Sequence, residues 1–127
     1  MIRLTVIITR IEKHKEKAKE LVKQNIDNYL VFNTLAMECF QCVNSAIELG
    51  EFVVTNKKLG FPSKYTEIFD ILENKRLISK KTLKDMKRLV FLRNLISHEY
   101  YEIRQSELTE MAKLLDCIDE LIKVAKK

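Results

Sequence analysis

The scarcity of glycine and proline is the feature that most limits the folds open to this chain. Its 127 residues include two glycines and one proline, whereas the two types together make up roughly 12% of an average protein. Folds built from β-hairpins need a turn about every 8 to 12 residues, and most of those turns use Gly, Asn-Gly or Pro. The sequence therefore predicts an all-α fold.

Apolar residues recur at helical spacing along most of the chain, which predicts a bundle of four to five helices. From Leu4 to Val22 they are three and four positions apart, as on one face of a helix. The alternation from Ile2 to Ile8 would also allow a short strand, but no turn or partner strand follows it. We therefore predict a helix in this segment.

One segment interrupts the helical pattern. A long apolar pattern from Tyr29 to Val54 stops before the segment 57–62, which contains both Gly60 and Pro62. We expect Gly60 to adopt the left-handed conformation that ends a helix, and Pro62 cannot continue one. Three serines that precede apolar periodic segments are expected to cap the later helices: Ser63, Ser79 and Ser106.

The chain is long enough for one hydrophobic core, and we expect residues 1–127 to form a single domain. No stretch approaches the roughly 18 uninterrupted apolar residues of a transmembrane helix. The N-terminal segment lacks the small-residue cleavage site of a secretory signal. Three cysteines, an odd number, argue against a disulfide framework and fit a reducing compartment. These features predict a cytoplasmic protein that does not contact a membrane.

The segment 93–101 holds the groups best suited to chemistry. The helix predicted from Lys80 to Ile96 is apolar nearly all round towards its end, which indicates burial on most sides. Its polar residues Arg93 and Asn94, and the following His98, are therefore expected to have a structural or functional role. Arg can hold a phosphate and His can move a proton near neutral pH, as metal-free cleavage of a ribose phosphodiester requires. The net charge of +5 suits RNA without proving it. From spacing alone, a structural polar cluster at the helix end remains the alternative.

Helical geometry restricts how these groups can meet. Asn94 and His98 are about 40° apart around a helix, whereas Arg93 and His98 are about 140° apart. One straight helix cannot easily aim Arg93 and His98 at the same phosphate. Either the helix ends before His98, or a two-fold dimer brings two copies of the segment together.

Residues 93 to 100 read Arg, Asn, three residues, His, one residue, Tyr. This order resembles the signature of the HEPN domains, and in particular of the HepT-type toxins. The resemblance includes the upstream loop 59–65 and covers roughly residues 28 to 124. It implies a HEPN-type helical bundle that pairs about a two-fold axis, with two copies of the motif in a cleft at the interface. Ser97 stands where similar sequences commonly have an apolar residue.

The resemblance also implies a function, that of the toxin in a type VII HEPN/MNT toxin–antitoxin system. Similar proteins are metal-independent endoribonucleases, so Arg93 would hold the scissile phosphate and His98 would act as general base or acid at the ribose 2′-hydroxyl. Asn94 would position groups in the cleft. An MntA-like nucleotidyltransferase antitoxin would transfer AMP onto Tyr100, with Tyr101 as the alternative acceptor.

Other features of the function stay open. The resemblance implies no cofactor and no metal, and it does not say whether the RNA target is tRNA or mRNA. The alternative function is that of a non-catalytic HEPN subunit that assists a nucleotidyltransferase in binding its substrate. The presence of both Arg93 and His98 favours the enzyme.

The remaining candidates are structural. Cys39 and Cys42 form a lone Cys-x-x-Cys inside a helical pattern. A zinc site needs four ligands, and Cys117 with the two histidines elsewhere offers no matching pair. We therefore expect buried cysteines, since free Cys behaves as a small apolar residue. His14 lies among charged residues and is expected on the solvated surface. Tyr65 is expected in the core.

Overall fold

The computed structural model describes residues 2–99 and 103–127, and this part of the chain is helical without a strand. The helices are α1 (Ile2–Leu21), α2 (Tyr29–Asn56), α3 (Tyr65–Asn74), α4 (Lys80–Glu99), α5 (Gln105–Leu114) and α6 (Ile118–Lys126). A 3-10 turn at Leu115–Cys117 joins α5 to α6, and the flanking residues keep right-handed helical backbone angles. If this last pair is taken as one interrupted helix, the all-α bundle of four to five helices is confirmed. α1 also confirms the helix predicted at the N-terminus.

α2 is the central helix, because it contacts each of the other five. Buried apolar side chains from all six helices form one core, whose largest members include Ile7, Leu49, Phe69, Leu89 and Met111. Gly50 in α2 lets α3 approach closely, since a Cβ at this position would lie 2.7 Å from Cγ2 of Ile68. Within the described residues, no helix is long and apolar enough to cross a membrane.

The C-terminal half of α4, from Leu89, is mostly buried, as its apolar residues predict, with two exceptions. Phe91 is 50% exposed, and the Arg88 guanidinium carbon lies 5.3 Å from the centre of its ring. The second exception is the face that carries Arg93, Asn94 and His98, which opens to solvent. The packing of α3 and α4 on α2 places this face beside residues of both neighbouring helices.

Two helices end with a left-handed residue that is not glycine. Lys58 follows α2 with a φ of 53°, and Arg76 follows α3 with a φ of 59°. In each case the next N–H donates to the carbonyl five residues earlier, which completes a Schellman motif. The prediction that Gly60 supplies the left-handed stop is therefore wrong. Gly60 lies two residues further on with a nearly extended φ of 159°, because the helix has already ended.

The three predicted serine caps have different outcomes. Ser79 caps α4, since its hydroxyl oxygen accepts a backbone N–H of the first turn at 3.1 Å. The prediction for Ser63 is wrong, because its N–H and hydroxyl both donate to the Glu67 carboxylate, at 2.9 and 3.0 Å. Ser106 lies inside α5 rather than before it. The N-terminal contact of that helix comes from Glu107, which accepts the backbone N–H of the preceding cap residue.

Candidate active site

A cleft of about 740 Å³ opens between α4 and the beginning of α3. The loop before α3 and its first turn form one wall, and Glu51 of α2 also lines the cleft. α4 forms the other wall with Val90, Arg93, Asn94, Ser97 and His98. The structure thus brings the three residues predicted to act on the substrate, Arg93, Asn94 and His98, into one cleft. Tyr100 and its alternative Tyr101 lie outside the described residues.

Arg93 and His98 line the same cleft although the helix does not end between them. α4 continues to Glu99, so the alternative in which it stops before His98 is wrong. Positions 90, 93, 94, 97 and 98 form one face about 140° wide, with Arg93 and His98 at its two edges. A cleft as wide as this face can be lined by both residues. Ser97 lies between them on the exposed face, which explains why a polar residue is accepted there.

Arg93 is held by two neutral amides and two aromatic rings. Its Nε donates to Asn44 Oδ1 at 2.7 Å, and its Nη1 donates to Asn94 Oδ1 at 2.9 Å. Its guanidinium carbon lies 5.1 Å from the centre of the Phe40 ring and 5.4 Å from that of Tyr65. Both distances are within the range of cation–π attraction. None of these four partners carries a charge, so the guanidinium is oriented without being neutralised.

Most of the donor capacity of Arg93 remains available. A guanidinium has five N–H donors, and two of them are used by Asn44 and Asn94. Among the side chains of residues 2–98 and 103–127, no carboxylate forms an ion pair with Arg93. The Nη2 group and one Nη1 hydrogen can therefore bind an anion, and phosphate oxygens fit this fork.

His98 completes the chemical set. Its imidazole is exposed on the wall of the cleft and has no hydrogen-bond partner among the side chains that the structure describes. An imidazole in this position can accept a proton from a bound molecule or donate one to it. Arg93 and His98 together can therefore hold an anionic group and move a proton beside it.

Sequence reasoning missed the residues that surround Arg93. Tyr65 was expected in the core, but it is 43% exposed because it is the first residue of α3 and faces the cleft. Phe40 and Asn44 lie one turn apart on α2, and Asn44 has the polar residues Gln41 and Ser45 close to it in the sequence. No local signal therefore marks Asn44 as unusual, and none could pair it with a residue 49 positions later.

Two of the three cysteines are buried, as expected, and the third is partly buried. Cys39 and Cys42 have no exposed surface and Cys117 is half-buried, and all three are free thiols. Burial raises the pKa of Cys39 well above its ordinary value, and it raises the pKa of Cys42 and of Cys117 to about 12. In the described part of the chain, no three or more His, Cys, Asp or Glu side chains are grouped to hold a metal ion.

The expectation for His14 is wrong. Its Nδ1 lies 2.7 Å from Oε1 of Glu38, and the two side chains are only 23% and 17% exposed. The reason is the packing of α1 along α2, which covers this part of the charged segment. His14 does not line the cleft, so it serves as a comparison for His98.

Comparison with known structures defines the class of the fold. The chain superposes on the tri-AMPylated HEPN toxin of Shewanella oneidensis, solved in complex with an MNT antitoxin, with a TM-score of 0.88, 18% identity and coverage of 97% and 96% of the two chains. It also resembles YutE, a cytosolic protein of unknown function from Bacillus subtilis, with a TM-score of 0.75, 16% identity and coverage of 93% and 87%. At these identities the likeness shows the fold alone, and that fold is the HEPN-type helical bundle.

Sequence comparison then gives the family. Residues 7–127 match the family described as "Ribonuclease HepT-like", so the chain belongs to the HepT-like family. A relative of known activity, the mRNA nuclease HepT of Shewanella oneidensis, is 21% identical over 127 residues, covering 89% of this chain and 96% of the relative. The family match begins within α1, well before residue 28, where the resemblance noted in the sequence starts.

Proposed function

We propose that this chain is the toxin of a HEPN/MNT toxin–antitoxin pair and acts as a metal-independent endoribonuclease in the cytoplasm. The observation that carries the proposal is the cleft shared by Arg93, which forms no ion pair with a described side chain, and His98, with its imidazole exposed. Membership of the HepT-like family supports it, as does the mRNA nuclease among its relatives.

The proposed reaction is transfer of a phosphoryl group within the RNA chain. The ribose 2′-oxygen attacks the adjacent phosphorus, and the bond from phosphorus to the 5′-oxygen of the next nucleotide breaks. His98 takes the proton of the 2′-hydroxyl or gives a proton to the departing 5′-oxygen. Arg93 stabilises the negative charge that grows on the phosphoryl oxygens, while Asn94 keeps the guanidinium in place. The products are a 2′,3′-cyclic phosphate and a 5′-hydroxyl.

The proposal includes two protein partners. The first is a second copy of this chain, paired about a two-fold axis so that two clefts meet. The second is an MntA-like nucleotidyltransferase antitoxin that transfers AMP onto Tyr100, where the bulky anionic adduct would repel RNA from the cleft. The AMPylated state of the structurally similar toxin supports this mode of control. Mass spectrometry of the peptide that contains Tyr100 and Tyr101, after co-expression with the antitoxin, distinguishes the two acceptors.

The test is cleavage of total tRNA and of mRNA by the purified protein in the presence of EDTA. We expect the unaltered protein to cut and the variants Arg93→Ala and His98→Ala to lose about 100-fold or more of the rate, the usual scale for removing a proton-transfer or charge-stabilising group. Two matched controls lie outside the cleft. Arg88→Ala removes an arginine from the same helix, and His14→Gln removes the other histidine.

The outcomes separate the candidate functions. Equal cleavage by His98→Ala and the unaltered protein would exclude the proposed chemistry. Absence of cleavage by every folded protein would instead favour the alternative, a non-catalytic subunit of a nucleotidyltransferase. No contact among the described residues favours that alternative, so the nuclease is the function that we put forward.

A further inference from the structure

At Arg93, the contact between α2 and α4 is a hydrogen bond from a charged guanidinium to a neutral amide. Asn44 is half-buried and accepts a 2.7 Å hydrogen bond from Nε of Arg93. We propose that Asn44 is a positioning residue for Arg93, one that fixes the guanidinium while leaving its positive charge available to an RNA phosphate. This inference rests on the proposed function and adds a residue to its site.

The geometry explains how Asn44 would act. A guanidinium at the end of a flexible side chain loses considerable conformational entropy when it is fixed on a phosphate. The bond from Nε to Asn44, together with that from Nη1 to Asn94, fixes the plane of the group before the substrate arrives. The two Nη2 hydrogens have no described hydrogen-bond partner, so they are available to a substrate. Such preorganisation lowers the cost of binding.

The neutrality of Asn44 is the second part of the argument. A carboxylate at this position would have nearly the same shape and would accept the same hydrogen bond more strongly. It would also place a negative charge about 3 Å from the guanidinium, where it competes with the phosphate. The rings of Phe40 and Tyr65 attract the cation without cancelling its charge. All four partners of Arg93 therefore orient it and leave it cationic.

A purely structural role for Asn44 makes the opposite prediction for one substitution. If the bond only joins α2 to α4 and Arg93 holds no phosphate, then Asn44→Asp keeps the acceptor, strengthens the bond and leaves activity intact. If Asn44 positions a guanidinium that binds phosphate, then Asn44→Asp preserves folding but weakens the binding and cleavage of RNA. Asn44→Leu, which removes the acceptor at similar volume, releases the guanidinium in both cases.

The experiment measures kcat and KM for cleavage of an RNA oligonucleotide, together with thermal unfolding, for Asn44→Asp and Asn44→Leu. The control for the added charge is Asn33→Asp, on α2 at a side chain whose amide donates to the Tyr29 carbonyl and does not bond to Arg93. We expect Asn44→Asp to unfold at the same temperature or higher while its KM rises about tenfold or more. Asn44→Leu should lower kcat, and Asn33→Asp should change kcat/KM less than about twofold.

A binding measurement keeps this inference separable from the nuclease proposal. The probe is a fluorescent oligonucleotide of the same sequence with 2′-deoxyribose at every position, which cannot undergo the cyclisation step. Binding by the unaltered protein that weakens in Asn44→Asp and persists in Asn33→Asp supports the inference even if no RNA is cut. Equal cleavage and equal binding by Asn44→Asp and the unaltered protein overturn it. A protein that neither binds the probe nor cuts RNA overturns both proposals.

Discussion

Two arginines on α4 show how much a single residue depends on its partners. Arg88 donates through Nε and Nη2 to both carboxylate oxygens of Glu110, at 2.8 and 2.9 Å. Among the side chains that the structure describes, Arg93, five positions later, contacts two amides and two aromatic rings and pairs with no carboxylate. The charge of Arg88 is therefore used within the fold, while that of Arg93 remains available for a ligand. The sequence shows two similar arginines, and only the tertiary contacts distinguish the one paired with a carboxylate from the one that we propose to hold a phosphate.

The three cysteines lead to a prediction at the same scale. Because burial raises the pKa of Cys42 and of Cys117 to about 12, only about one thiol in ten thousand of either is ionised near pH 8. Since the thiolate is the reactive form, we expect none of the three to react with Ellman's reagent in the folded protein. All three should react once urea unfolds the chain. Rapid reaction of a thiol in the native protein would contradict this burial.

At the scale of elements, the helices themselves were predictable because their apolar residues recur with a clear period. Their ends were not, since Lys58 and Arg76 hold left-handed positions that sequence rules assign to Gly or Asn. A residue with a Cβ is accepted there because the apolar side chain that follows packs against the core. Leu59 and Leu77 are those residues. The energy of this packing is not visible in a local window of sequence.

The left-handed position at the end of α3 gives a prediction for this element. Replacing Arg76 by Gly removes the steric cost of a Cβ at a φ of 59°. We expect Arg76→Gly to raise the free energy of unfolding by about 0.5–1 kcal/mol, measured by urea denaturation.

Lys75→Gly is the matched control for Arg76→Gly. It changes the preceding cap residue, whose φ of −86° needs no glycine, so it should give no gain. A stabilisation by Lys75→Gly equal to that of Arg76→Gly would show that loss of charge, rather than backbone conformation, is responsible.

At the scale of the whole molecule, the sequence located half of the candidate site. The α4 half was predictable because Arg93, Asn94 and His98 lie in one short motif and stand out in an apolar helix. The other half, with Asn44 and Tyr65, comes from α2 and α3 and depends on how the three helices pack. His14 was misplaced for the same reason, since α1 covers it by packing along α2. The apolar period of the sequence predicts helices, but it does not predict the contacts between distant segments that complete the site.

The packing of the helices also changes the reason why the proposed function would need a dimer. Within one chain, Arg93 and His98 already line the same cleft, so helical geometry no longer requires a second copy to unite them. A single imidazole still has two proton transfers to perform, one from the 2′-hydroxyl and one to the 5′-oxygen. A second His98 across the two-fold axis would divide these roles between two groups.

A mixed dimer distinguishes a shared site from two independent ones. One unaltered chain and one His98→Ala chain, carrying different affinity tags, are co-expressed and purified in sequence. If each cleft works alone, the mixed dimer should retain about half of the cleavage rate, whereas a site built from both copies should lose nearly all of it. We expect the near-complete loss, because the mixed dimer has one His98 in a shared site that needs two. A mixed dimer with His14→Gln should keep the full rate, and retention of half the rate with His98→Ala would assign a complete site to each chain.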